Sequence, residues 1–89
     1  MNSRDLIEAI NFALNHPQIR NAIIQRDNDD RLILMGIHGE RKYFQGETNY
    51  YVRVIFDYKV VDQNASGQPD LHIDMMPLRD GGFEALPRQ

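Results

Sequence analysis

Residues 48–61 read TNYYVRVIFDYKVV, and no other stretch limits the fold as tightly. Tyr50, Val52, Val54, Phe56, Tyr58 and Val60 alternate with Tyr51, Arg53, Ile55, Asp57, Lys59 and Val61. A period of two, rich in β-branched and aromatic residues, specifies a strand with one buried face. An antiparallel sheet with one face on the core must then exist. Something else in the chain must cover that face.

Residues 3–15 supply the cover. At 100° per residue, Ala9, Ala13, Leu6, Ile10, Leu14 and Ile7 fall within an arc of about 160°, with Arg4, Glu8 and Asn11 opposite and Phe12 at the edge. Asn2 or Ser3 is suited to cap this helix. Pro17 disfavours helix at His16 and suits the first position of a second short helix, where Ile19, Ala22 and Ile23 repeat at i, i+3, i+4. One kinked helix is the alternative. Arg26-Asp27-Asn28-Asp29-Asp30 is a polar break. It lacks the glycine and distal glutamate of a calcium loop, so it reads as a solvated turn.

Residues 31–44 and 70–76 read as the remaining strands. In the latter, Leu71, Ile73 and Met75 face one way and Asp70, His72 and Asp74 the other. Residues 62–69 form a polar loop, and 77–89 have no period and read as an irregular tail that Phe83 and Leu86 pin down. The expectation is one α+β domain over residues 1–89. An N-terminal helix, or two short ones, packs on one face of a three-stranded antiparallel meander, in the order α(α)βββ. Eighty-nine residues allow one thin core.

Gly46-Glu47 fits a two-residue turn with glycine at the first central position. That turn sets Gln45 against Thr48, Tyr43 against Tyr50, Arg41 against Val52, Gly39 against Val54, Ile37 against Phe56, Met35 against Tyr58 and Ile33 against Val60. The outer face then pairs Lys42 with Tyr51, Glu40 with Arg53, His38 with Ile55 and Leu34 with Lys59. Glu40 and Arg53 form a cross-strand ion pair in this arrangement. A slip of one residue would bury His38, Glu40 and Lys42. The edges of the first and third strands stand open to a partner chain, or to the tail.

Composition excludes several activities. The chain has no cysteine, so it has no disulfide, thiolate nucleophile or Cys-based zinc site, which fits a cytoplasmic setting. The first residues, MNSRDLIEAI, do not resemble a secretory leader, and no window approaches a membrane span. Net charge is −3, and only residues 31–61 carry a basic surplus, five basic against three acidic. Duplex-binding domains carry more. The register leaves Phe44 and Tyr51 as the only rings for stacking single-stranded bases, which makes nucleic acid a poor partner. His16, His38 and His72 are scattered, so no metal or cofactor is expected; His72 with Asp74 would need a third ligand such as Asp57 or His38. Ser3 and Ser66 have no adjacent base.

Two functions remain. The leading expectation is a non-catalytic protein that binds a protein partner, or itself as a homodimer, through the exposed sheet face or an edge strand, as an inhibitor, immunity or antitoxin-like protein does. Its contact residues are Glu40, Lys42, Tyr51, Arg53 and Ile55, and Leu34, Tyr51, Ile55 and Met76 make an apolar patch of roughly a few hundred Å². The alternative is a compact metal-independent ribonuclease with His38 and His72 as acid and base and Lys42 steadying the phosphate. With His72 placed level with residues 57–61, the two histidines stand about 12 Å apart in the backbone, which fits a single phosphate poorly.

Overall fold

The computed structural model describes residues 3–46, 48–61 and 70–87, without the side chains of Ser3 and Arg4. The expected cap at Asn2 or Ser3, Glu47 of the turn and the loop 62–69 with Ser66 lie outside the described side chains or residues. Two helices, α1 (Ser3–Asn15) and α2 (Pro17–Asp27), precede four strands: β1 (Leu32–Tyr43), β2 (Tyr50–Val60), β3 (Leu71–Pro77) and β4 (Phe83–Ala85). The strands form one antiparallel sheet in sequence order. The class is α+β, and the helix pair covers one face. Among the described residues no helix is long and apolar enough to cross a membrane.

His16 separates the helices because it adopts an extended conformation, φ −76° and ψ 126°, with Pro17 opening α2. Its carbonyl accepts the first turn's hydrogen bond from Arg20 N–H at 3.0 Å. After α2, Asp29 organises the polar break. Its carboxylate accepts from the Arg31 backbone N–H at 3.0 Å and from the Arg31 guanidinium through both oxygens at 2.9 Å. Those bonds hold its carboxyl well below the usual range, at about 2. The aspartate that a calcium loop would use as a ligand is committed to a turn.

The core is built on β2. Val52, Val54, Phe56 and Tyr58 are buried, flanked by Leu71, Ile73 and Met75 of β3 and covered by Ala9, Ala13 and Ile19 of the helices. Ala9 and Ala13, both fully buried, let α1 lie close to the sheet. The helix buries a narrower stripe than its apolar arc. Ile7 and Leu14 are 59% and 37% exposed, whereas Phe12 on the other flank packs on Phe83 at 5.9 Å between ring centroids.

Two features differ from expectation. A fourth strand replaces the irregular tail: residues 78–82 turn the chain, with Gly81 and Gly82 at φ 91° and 85°, conformations only glycine adopts cheaply. Phe83, Glu84 and Ala85 then pair with Pro77, Met76 and Met75, and Leu86 N–H donates to the Asp74 carbonyl at 2.9 Å. Three residues are too few to show alternation in a sequence. The tail thus covers the outer edge of β3.

The other difference lies in β1. From Tyr43 to Ile37 the register is the expected one, ending where Phe44 N–H donates to Asn49 C=O at 3.2 Å. Gly46 sits at φ 75° within the connection. A bulge between Leu34 and Gly36 then shifts the pairing: Leu34 faces Tyr58, Ile33 faces Lys59 and Leu32 faces Val60. Met35 does not face Tyr58, nor Ile33 Val60. Leu-Ile-Leu-Met is apolar in both phases, so its hydrophobic pattern cannot choose between them. The bulge brings Leu32 against the core and turns Ile33 outward, half exposed.

Leu6 of α1 lies over Gly39 of β1: a Cβ there would overlap Leu6 Cδ1, the outer end of that side chain. Gly39→Val should cost about 1–3 kcal/mol by overpacking, read as a lower urea midpoint. Tyr58 gives the opposite case. Its hydroxyl is buried without a hydrogen-bond partner, and burial, the largest cause, raises its pKa above 10.0. The unfolded chain releases that proton first, so the stability this group preserves is whole below pH 10 and is lost as pH rises through the folded pKa. Tyr58→Phe should gain about 1 kcal/mol at neutral pH. Its advantage over the native chain should widen in urea titrations above pH 10.

Candidate functional site

The face of the sheet turned away from the helices is laid out in rows through β2. His38, Ile55 and His72 form one row. Glu40, Arg53 and Asp74 form the next. Lys42 and Tyr51 follow, with Met76 one residue beyond the Val52–Met75 pair and facing Glu84 of β4. These side chains lie on this face because β2 buries its even-numbered residues from 52 to 58, which leaves the odd-numbered ones outward. Every residue expected at the site is on it: Glu40, Lys42, Tyr51, Arg53 and Ile55, and also His38 and His72.

The pairing of charges differs from expectation. Arg53 does not bond Glu40; it turns to Asp74 and donates through Nε at 2.7 Å and Nη2 at 3.1 Å, one bond to each carboxylate oxygen. The fork geometry of guanidinium on carboxylate favours this partner. Asp74 is a half-buried residue across β2 from Glu40, and only the β2–β3 register reveals it as the partner. The bond to Asp74 holds Arg53 above its usual pKa. Glu40 instead accepts from Lys42 Nζ at 3.0 Å, and that bond, with the lysine's charge, lowers its carboxyl. The four charges form two neutral pairs.

Aromatic packing completes the strip. Phe44 lies against Tyr51 with centroids 5.1 Å apart and planes at 50°, and the Arg53 guanidinium stands 6.0 Å from the Tyr51 centroid. Phe44, Tyr51, Arg53 and Asp74 thus form a continuous chain of contacts. Ile55 and Met76 are half-buried beside it. Leu34 leaves the expected patch, because the bulge puts it opposite Tyr58, where it remains 39% exposed; Ile33 takes its place opposite Lys59.

The histidines are closer than the sequence implied. His72 lies opposite Ile55, not level with residues 57–61, and His38 lies opposite Ile55 from the other side. Two strand spacings separate their backbones, about 9–10 Å. Both are exposed. Among the described residues no three His, Asp or Glu side chains gather as a metal site. On the opposite side of the sheet, Arg41 stacks on Tyr50 at 4.6 Å and donates to the Tyr43 hydroxyl at 3.2 Å, so its stem and head lie along the core-side rim.

Compared with protein-family models, curated proteins and solved structures, the chain matches none. Its function therefore rests on the geometry of this face.

Asp74→Ala should remove the bidentate partner of Arg53. The pair is about one-quarter to one-third exposed, so the loss should be modest, about 1 kcal/mol in urea unfolding. A larger effect should appear on whatever this face binds, since the freed guanidinium loses its fixed position over Tyr51.

Proposed function

We propose that this chain is a non-catalytic binding protein, working in a reducing compartment such as the cytoplasm, that engages a protein partner through the outer face of its sheet. The observation that carries this reading is the strip Phe44–Tyr51–Arg53–Asp74 on a face no helix covers. Tyrosine, phenylalanine, methionine and arginine are the residues that protein interfaces concentrate. Here they are held in place before any partner arrives, by ring contacts and by a forked ion pair, so little side-chain freedom is lost on binding. Neutral charge pairs also favour a protein surface over a polyphosphate. An inhibitor, immunity or antitoxin-like role suits a chain whose work is to cover a patch on another protein.

A ribonuclease is the second reading. It is favoured by the single row His38–Ile55–His72, which brings the two candidate proton carriers nearer than the sequence implied. It is opposed by the state of the cations. Lys42 is paired with Glu40 and Arg53 with Asp74, so a carboxylate neutralises each cation beside which a phosphate would bind. Ile55 also stands between the histidines, where the scissile phosphate would sit.

Affinity purification from the native host, followed by titration of the recovered partner, tests the first reading. Tyr51→Glu should weaken binding by about 30-fold or more, the effect of removing an aromatic anchor. A partner bound equally well by that variant argues against the outer face. Incubation with labelled RNA in the absence of metal tests the second: no cleavage is expected. Cleavage lost in both His38→Ala and His72→Ala would establish the ribonuclease instead.

A further inference from the structure

The fold closes one side of the sheet and leaves the other open. β4 covers β3, but among the described residues nothing pairs with the outer edge of β1, twelve residues long. Its hydrogen-bond phase is known from Phe44 N–H, which points toward β2 and Asn49. Directions alternate along a strand, and no bulge interrupts Ile37–Tyr43. The N–H and C=O groups of Ile37, Gly39 and Arg41 therefore point outward. The usual guards of an open edge are weak here. The segment has no proline, its bulge lies beyond the paired part at Met35, and its lysine, Lys42, is neutralised by Glu40.

We infer that this edge pairs with the same edge of a second copy of the chain, antiparallel about a two-fold axis at Gly39, joining two four-stranded sheets into one of eight. This rests on the protein-binding reading and narrows it, giving the edge to self-association and leaving the outer face for a different partner.

The charges and the bulge together select the axis. A two-fold antiparallel pairing always sets one residue against itself. Centring on His38, Glu40, Arg41 or Lys42 would set two imidazoles, carboxylates, guanidiniums or ammoniums face to face. Centring on Ile37 would draw the Met35 bulge into the ladder opposite Gly39. Centring on Gly39 avoids all of these. It pairs Ile37 with Arg41 of the partner subunit, Gly39 with its counterpart and Arg41 with Ile37 of the partner subunit, all positions with outward backbone groups. It also places Glu40 opposite His38 of the partner subunit, twice by symmetry, a carboxylate acceptor against an imidazole N–H donor on the outer face.

The helix layer supports the same occupant. Phe12 of α1 meets Phe83 of β4, and Leu6 lies over Gly39 of β1, so the two flanks of α1 are oriented. Ile7 and Leu14, the exposed apolar residues of this helix, follow Leu6 and Ile10 around the β1 flank. Above the edge they form an apolar strip. In the two-fold arrangement this strip faces its own counterpart across the axis.

Sedimentation equilibrium of the full chain tests the inference, over about 1–500 μM because a strand-edge interface is small and weak. The mass should rise from one 10.4 kDa chain toward two. Glu40→Lys and His38→Glu should each weaken the dimer at least tenfold, and the double variant His38→Glu/Glu40→Lys should restore it by exchanging the charges. Arg41→Pro removes an outward donor without touching the bonds to β2, and should leave a folded monomer by circular dichroism. A native chain that stays at one chain's mass throughout, or a dimer indifferent to both Glu40→Lys and Arg41→Pro, would overturn the inference. A monomer that still binds its partner through Tyr51 overturns the dimer alone. A dimer that obeys the charge exchange, with partner binding indifferent to Tyr51→Glu, supports the edge and overturns the outer-face reading.

Discussion

A twisted sheet has two faces, and this chain has enough helix for one. Ala9 and Ala13 bring α1 down onto Val52, Val54 and Phe56, with α2 adding Ile19 at the far end. That single contact layer decides the rest. It makes the even-numbered positions of β2 the core and forces the odd-numbered ones outward, so Tyr51, Arg53 and Ile55 are displayed as a consequence of how Val52, Val54 and Phe56 are buried. Any change that slipped β2 by one residue would exchange site and core together.

The outer face then had to be made tolerable in water without being made inert. Ionic groups achieve this by pairing along and across strands: Lys42 with Glu40 on β1, Arg53 with Asp74 across β2 and β3. Paired charges on a sheet contribute little to stability. They do fix side-chain positions, and a fixed guanidinium beside Tyr51 and Phe44 is a recognition feature that a mobile one is not. The same pairing that prepares this face for a protein surface removes the free cations a phosphate would need.

Most of the fold was legible in the sequence because most of it is written in one period. The alternation of residues 50–60 established the faces, the Gly46 region set the β1–β2 register, and Pro17 marked the break between helices. Legibility failed where pattern carries no phase. Leu32-Ile33-Leu34-Met35 is apolar throughout, so nothing in it announces the bulge that sets Leu34 opposite Tyr58 and Ile33 opposite Lys59. Residues 83–85 are too short to alternate, so β4 could not be told from coil. The site shows the same division. Which residues share the outer face from Ile37 onward followed from parity, and only Leu34, beyond the bulge, departed from it. Which of them touch did not, because Arg53 and His72 depend on a β2–β3 register that a loop connection does not encode, and a choice between Glu40 and Asp74 is one of guanidinium geometry.

The open edge of β1 follows from the same economy. The residues after β3 reach back as β4 and close that side. β1 follows α2 directly, and among the described residues no strand precedes it to close the other. An edge left this way must be blunted, covered or paired. Glycine at 39 suits the inside, because the Leu6 side chain lies where a Cβ would stand. From outside, the same glycine leaves the backbone clear between His38 and Glu40, a hydrogen-bond donor and a carboxylate acceptor on either side of it. One residue thus lies under Leu6 of α1 and at the centre of a symmetric pairing in which no like charges meet and the bulge stays outside the paired segment.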